Sequence, residues 1–401
     1  MSPNLFVFGI ARSGTNLVAR MLDAHPAVAV ALDPLLPLFK AWRNAILAAL
    51  DSPVEGALSD PEAPFQDGYF SPDGHRAVAA VLGGSADLRV EPGEMEGLRA
   101  AVRERARLES ASLPQRFAGW TGATYRDLFV TAAGAIRGSR DTETRLSWVG
   151  SKEVWTVEFA APLARAFPEA RFVLVERDPR AIVSSLLALA RRDESQAAHL
   201  VSYLRHWRKQ VAVTERLQGD PALQGRLLRI GFEELVRRPE AVAHRACGFL
   251  SLPFAEAMLE PRGEVGAAWT GNSAFGELQG ISSATAARWR GTLPEATRRT
   301  VEYHCGPEMR LTRYAPLDPE PGRLTGDVLA TVEAAHRSPG SWRSDSGDSC
   351  ADTAWEALRW SLLELDEEPP VDLMRRCFLF EDVGGMLRQS PSRSATSEAR
   401  E

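Results

Sequence analysis

The stretch NLFVFGIARSGTNLVARML, Asn4 to Leu22, constrains the fold of this 401-residue chain more than any other part of it. Leu5 to Phe8 is an unbroken apolar run, the pattern of a strand buried on both faces of a parallel sheet. It enters a loop, Gly9-Ile10-Ala11-Arg12-Ser13-Gly14-Thr15. From Thr15 to Ala24 the apolar residues Leu17, Val18, Met21 and Leu22 fall on one helical face. Strand, glycine-rich turn and helix open an α/β unit. Gly9 and Gly14 have the spacing of a Walker A loop, but Thr15 stands where that motif has its lysine. Backbone N–H groups at a helix N-terminus favour an anion, and Arg12, Ser13, Thr15 and Asn16 add side-chain donors. Without the lysine, and without a convincing Walker B strand ending in Asp, the loop suits a phosphate of lower charge than a triphosphate. A phosphate–sulfate anhydride held without a metal also suits it. An ordinary glycine turn is the plain alternative.

A second loop repeats the arrangement. In FPEARFVLVERDPRAIVSSLL, Phe172 to Val175 reads as a buried strand, Arg177-Asp178-Pro179 as the turn and Ala181 to Arg191 as a helix, with Pro179 suited to its first turn. Arg177 lies at the carboxyl end of its strand, and Ser185 lies two turns into the helix. In a doubly wound sheet that edge carries the ligand, so Arg177 and Ser185 are candidates for gripping a second phosphate. Alone, ERDPR reads as a solvated turn; its pairing with the first loop gives it weight.

Elsewhere Ser147 to Lys152 is predicted as a strand, 157–167 as a helix, 197–217 as a long helix and Leu227 to Ile230 as a strand, followed by the helical FEELVRRPEAVAHRACGFL. Strands alternating with helices imply a mainly parallel, doubly wound sheet flanked by helices. Residues 51–145 form an insertion with helical patterns at 95–112 and 124–137, expected to build the acceptor-binding region. The expected domains are an α/β domain over 1–316, an appendage of unassigned role over 317–385, and a disordered tail over 386–401. SPGSWRSDSGDS, before the appendage's helical segment at 353–365, reads as a linker.

Composition narrows the classes. Hydrophobic content of 44% and charged content of 25% are those of a globular protein. A formal charge of -6 gives no support to nucleic-acid binding. Cys247, Cys305, Cys350 and Cys377 show no C-x-x-C spacing and predict reduced thiols in a cytoplasmic protein. The apolar run at the N-terminus is too short for a signal core or a membrane span. Arginine almost replaces lysine, leaving only Lys40, Lys152 and Lys209.

Two phosphate grips on one sheet edge point to a nucleotide with phosphates at both ends of its ribose. Here the sequence resembles the sulfotransferases that use 3′-phosphoadenosine 5′-phosphosulfate (PAPS). The first loop resembles their 5′-phosphosulfate loop, and Arg177 with Ser185, eight residues on, their 3′-phosphate motif. RSGTNLVARMLDAHPAV is closest to the protein-tyrosine sulfotransferase type and its bacterial relatives. The resemblance covers about residues 4–40 and 147–316, with weaker echoes in GFEELVRRPEAV, NSAFG, ARWRGTL and CGPEMRLTRYAP.

The resemblance implies roles. Arg12 and the amides of residues 13–16, across Ser13, Gly14, Thr15 and Asn16, would hold the 5′-phosphosulfate. Lys152, in GSKEVW, resembles the family lysine near the sulfuryl group. Arg177 and Ser185 would bind the 3′-phosphate, and Arg288 in ARWRG would reach the nucleotide. Asp33 stands where the tyrosine-sulfotransferase pattern has a catalytic glutamate, one methylene longer. A turn-forming role before Pro34 competes with that reading, and Glu153 and His25 are the other candidates for the base. His75 has no assignment. The expected activity is sulfuryl transfer from PAPS, leaving PAP and needing no metal, to a hydroxyl of a small-molecule acceptor such as a carbohydrate, lipid or secondary metabolite. The alternatives are a P-loop kinase or NTPase using ATP and Mg²⁺, and a non-catalytic nucleotide-binding relative. Oligomeric state is left open.

Overall fold

The computed structural model describes residues 4–52, 72–109, 112–139, 145–193, 200–261, 280–323, 327–337 and 349–389. Among them five parallel strands form one sheet: β1 (Leu5–Gly9), β2 (Val28–Leu32), β3 (Trp148–Val154), β4 (Arg171–Glu176) and β5 (Leu227–Gly231), in the order β2-β3-β1-β4-β5. The α-helices α1 to α7 are Thr15–Asp23, Leu36–Ala48, Pro72–Gly83, Met95–Glu109, Leu113–Arg116, Tyr125–Gly138 and Ala160–Ala166. Helices α8 to α12 are Pro179–Arg192, Leu200–Gln218, Phe232–Arg237, Pro239–Leu250 and Trp289–Thr292. Helices α13 to α17 are Glu295–Met309, Asp327–Arg337, Ser349–Glu364, Val371–Phe378 and Glu381–Gln389. The chain is therefore the doubly wound parallel sheet that its periodicity predicts, with helices through the 51–145 insertion.

The chain divides into two compact units. The first comprises Met1–Pro53, Ala80–Arg177 and Gln218–Ala286, and it contains the whole sheet. β1 lies at its centre and is buried along its full length. Alternation sends Leu5 and Val7 into an aliphatic core with Leu17, Val18, Val173, Val175 and Ile230. Phe6 and Phe8 face the other way. Phe6 stacks on Phe172 at 5.6 Å between ring centres and meets the edge of Phe129, from the insertion helix α6, at 6.1 Å.

The chain after β1 crosses to β2 on one side, and the chain after β4 reaches β5 on the other. The connections thus diverge between β1 and β4, the kind of switch point at whose carboxyl ends open α/β sheets bind ligands. The sequence reading assigns no strand to β2: VAVAL is short, alternates with alanine and lies between Pro26 and Pro34. As an edge strand it gains its order from pairing with β3, in the register Val28↔Trp148, a long-range contact that no local propensity reports. Helix α2 is likewise not predicted.

The second unit comprises Val54–Ala79, Asp178–Leu217 and Ala287–Glu401. Its described part is helical and holds two buried charge networks. Arg180 bonds both Asp178 and Glu302 at 2.8 Å, and its guanidinium lies 4.3 Å above the Trp289 ring. Farther along, Glu356 pairs with Arg208 at 2.5 Å and with Arg359 at 3.0 Å. Burial opposes that carboxylate, but Arg208, His304 and Arg359 hold its pKa well below the usual range. Arg359 also pairs with Glu308. These bonds tie α15, in the appendage, to α9 and α13, so the appendage packs as part of this unit. Cys247, Cys305 and Cys377 are buried free thiols. No helix of the described residues is long and apolar enough to cross a membrane. The tail expected to be disordered from 386 is helical through Gln389, in α17, where Leu387 is buried; its remainder, NSAFG and most of the linker lie outside the described residues.

Candidate active site

The first loop is built by its glycines. Gly14 sits at φ +94°, and a Cβ there would come within 2.2 Å of the Phe232 ring. At Gly9 a Cβ would stand 2.5 Å from Thr15 and 2.8 Å from the Ser13 hydroxyl. The two positions let the loop close tightly over the end of β1. Ser13 N–H donates to the Ile10 carbonyl at 3.2 Å. Gly14 is the N-cap of α1 and supplies no side-chain cap. The first-turn amides of α1 are therefore unspent within the helix. The Ser13 hydroxyl is buried and has no hydrogen-bond partner among the described residues. Uncapped amides and an unpartnered buried hydroxyl at one loop fit an anionic oxygen.

Arg177, at the end of β4, reaches this loop. Its Nη1 donates to the Arg12 carbonyl at 2.8 Å, and its guanidinium lies 4.1 Å above Phe232. Phe232, which begins α10 after β5, thus touches both Gly14 and Arg177. The sequence reading overlooked it, and the aromatic directly after the LLRIG strand was the available signal.

The second feature is an acid–lysine pair at the ends of β2 and β3. Lys152 Nζ bonds Asp33 Oδ2, with the lysine side chain 1% and the aspartate 16% exposed. Asp33 Oδ1 accepts from the Val154 amide at 3.3 Å, and the Asp33 amide donates to the Lys152 carbonyl at 2.8 Å. Glu153 is fully buried, and its Oε1 accepts from the Leu35 amide at 2.7 Å. Burial, and next the Asp33 carboxylate, push the Glu153 carboxyl well above the usual carboxylate range. Arg105, on insertion helix α4, donates to the Asp33 carbonyl at 3.4 Å. No sequence signal marks Arg105, because the fold alone brings α4 to this turn.

Three neighbouring strand ends carry residues in left-handed backbone: Arg12 after β1 (φ 69°), Asp33 after β2 (φ 51°) and Trp155 after β3 (φ 69°). Such conformations cost roughly 1–3 kcal/mol each at non-glycine residues and gather at functional sites. Trp155 N–H donates to the Gly9 carbonyl at 3.0 Å, fastening the end of β3 to the start of the loop. Strands lie about 4.8 Å apart, so the ends of β1 and β2, separated by β3, stand roughly 10 Å apart.

Other candidates are placed differently. His25 has both ring nitrogens engaged: Nε2 with the Pro253 carbonyl and Nδ1 with the Ala27 amide, each at 3.0 Å. It is a structural histidine with no nitrogen left to act as a base. His75 Nε2 bonds the Leu379 carbonyl at 2.9 Å in the second unit. Ser185 is buried on α8 and Arg288 is half-buried at the N-cap of α12, both also in the second unit. Asp178, directly after Arg177, caps α8 by accepting from the Arg180 amide at 2.9 Å, with Pro179 in the first turn as predicted.

A parallel sheet with an uncapped glycine loop at its centre and a charged pair beside it is an arrangement that suits an enzyme handling an anionic group. The profile of the Sulfotransferase family matches residues 3–256, and the chain belongs to that family. It is a sulfotransferase. It is 23% identical over 350 residues to protein-tyrosine sulfotransferase A of Caenorhabditis elegans, covering 85% of this chain and 75% of the relative. Over 345 residues it is 23% identical to protein-tyrosine sulfotransferase 2 of Gallus gallus, covering 84% of this chain and 75% of the relative. Among solved structures, the sulfotransferase domain of the Synechococcus PCC 7002 olefin synthase aligns at 20% identity and TM-score 0.43, covering 73% of this chain and 89% of that one.

These relatives correct one expectation. The small-molecule acceptor does not stand, because the relatives matched over three quarters of their length are named for a protein tyrosine acceptor. The expectation rested on arginine usage and on the reading of the chain as cytoplasmic. Neither property bears on the shape or chemistry of an acceptor pocket.

Proposed function

We propose that the protein transfers a sulfuryl group from PAPS to the phenolic hydroxyl of a tyrosyl residue in a polypeptide. The observation that carries this reading is the Lys152–Asp33 pair beside the uncapped loop on one sheet edge. The tyrosyl acceptor is taken from the relatives' names.

In this reading the amides of residues 13–16, the Ser13 hydroxyl and Arg12 hold the donor's 5′-phosphosulfate, and Arg177 meets its 3′-phosphate. Asp33 accepts the phenol proton as the oxygen forms its bond to sulfur. The bond from sulfur to the 5′-phosphate oxygen breaks, and that oxygen keeps the electron pair. PAP leaves, and a tyrosine sulfate ester remains. Lys152 stabilises charge on the bridging oxygen and orients Asp33 through their ion pair. Donor binding requires no metal here.

The test combines thermal-shift titrations with PAP and with ATP plus Mg²⁺, and turnover of PAPS with tyrosine-containing peptides. A ligand at about 100 times its dissociation constant stabilises the native state by roughly 2.7 kcal/mol. The expected result is a metal-independent shift with PAP, larger than with ATP, and sulfated tyrosine in the product. A shift that needs ATP and Mg²⁺ would make the loop a modified Walker A and refute the donor. PAP binding without sulfation of any tyrosyl peptide would refute the acceptor.

A further inference from the structure

We propose that Glu153 is a positioning residue for sulfuryl transfer: by accepting the Leu35 amide, its buried side chain fixes the Asp33–Pro34 turn that aims the Asp33 carboxylate. The inference rests on the reading of Asp33 as the proton acceptor.

The turn needs holding. Asp33 is left-handed at φ 51°, and Pro34 has no N–H to donate. The first backbone donor after the aspartate is therefore the Leu35 amide, and Glu153 Oε1 takes it at 2.7 Å. On the near side of the turn, the Lys152 carbonyl receives the Asp33 amide at 2.8 Å, and the Val154 amide meets Asp33 Oδ1 at 3.3 Å. Three consecutive residues of β3 thus clamp the turn on both sides of the proline. A strained residue persists only where its surroundings over-determine it, and Glu153 supplies the contact beyond the proline.

Glu153 is poorly suited to take the acceptor's proton itself. Its side chain is fully buried, and its second oxygen has no partner among the described residues. The ionisable groups acting on it are Asp33, Lys152 and Arg105. With burial and Asp33 raising its carboxyl pKa, the group resists ionisation and adds little negative charge beside Asp33. The bond to Leu35 needs only an acceptor oxygen, and an amide oxygen serves as well.

That difference supplies the experiment. Glu153→Ala, Glu153→Gln, Glu153→Asp and Asp33→Asn are compared by PAP-induced thermal shift and by PAP release from PAPS with a tyrosine-containing peptide. Misplacing a reacting group by about 1 Å can lower turnover on the order of 100-fold. Glu153→Ala is expected to lower kcat by 10- to 100-fold while keeping the PAP shift, and Glu153→Gln to recover most of that loss. Wild-type kcat in Glu153→Ala would overturn the proposal. So would Glu153→Gln as inactive as Glu153→Ala with PAP binding intact, because an ionisable group would then be required. Should Glu153→Ala fail to fold, Glu153→Asp carries the test. It keeps the carboxyl but loses one methylene of reach, so it should be slower than Glu153→Gln, and the reverse order would overturn the inference. Wild-type turnover in Asp33→Asn would refute Asp33 as the base. An inactive Asp33→Asn beside a fully active Glu153→Ala would refute the positioning role alone.

Discussion

Arg177 has two contacts described in the fold and one proposed with ligand, and Arg177→Ala separates the two kinds. In the protein its guanidinium bonds the Arg12 carbonyl at 2.8 Å and lies 4.1 Å above Phe232. A hydrogen bond from a charged donor contributes about 1.5–3 kcal/mol, and a cation over an aromatic face adds roughly 0.5–2 kcal/mol. Losing both loosens the first loop and weakens any nucleotide that uses it, whether or not that nucleotide has a 3′-phosphate. The proposed 3′-phosphate contact adds its own charged bond, again about 1.5–3 kcal/mol, and this is felt by PAP alone. At about 1.4 kcal/mol per factor of ten, the preference for PAP over AMP should fall on the order of 10- to 100-fold. Isothermal titration of both nucleotides against native protein and variant measures that ratio. Equal weakening of PAP and AMP would make Arg177 a brace for the loop and nothing more. Unchanged affinity for both would remove it from the site.

Other perturbations have equally definite outcomes. Asp33→Asn should lower kcat by about 100- to 10,000-fold, the usual contribution of a general base, while PAP affinity by titration stays within a few-fold. Gly14→Ala sets a Cβ 2.2 Å from Phe232 at φ +94°; it should destabilise the native state by several kcal/mol and abolish the PAP shift, with urea unfolding as the measure. His206 is buried in α9, and its pKa is lowered well below the ordinary value by burial, then by Lys209 and Arg205. The unfolded chain takes up that proton below pH about 6.5, so this contribution to stability is present above that pH and lost as pH falls. The slope it adds approaches 1.4 kcal/mol per pH unit. His206→Gln should flatten the fall in stability between pH 7 and pH 5.5, and an unchanged slope would refute the assignment.

What the sequence disclosed follows from how local each signal is. β1, its loop and α1 are contiguous, and their apolar runs and glycines specify strand, turn and helix without help from the rest of the chain. β4, Pro179 and α8 are legible for the same reason. β2 is not, because VAVAL becomes a strand only through pairing with β3, more than a hundred residues later. The site divides along the same line. Lys152 stands out because lysine is rare here, and Asp33 stands out by resemblance. Their ion pair, the Leu35 amide on Glu153, Arg105 and Phe232 all depend on contacts across the sheet. His25 shows the converse: its residue type admits a catalytic role, and two backbone partners remove it.

The left-handed residues at the strand ends place two demands on the same positions. Glycine adopts such backbone without the penalty of a side chain, so glycine at Arg12 relieves local strain as it deletes a proposed ligand, whereas glycine at Asp33 also leaves the buried Lys152 ammonium without its carboxylate. A library sorted for resistance to unfolding should therefore tolerate glycine at Arg12 where a library sorted for turnover rejects it. The two sequence profiles would part at Arg12 and agree through most of the sheet, marking the loop at the reactive edge without any acceptor having been identified. Trp155 would not behave this way despite its similar backbone, because the residue is 4% exposed and glycine there would leave a cavity.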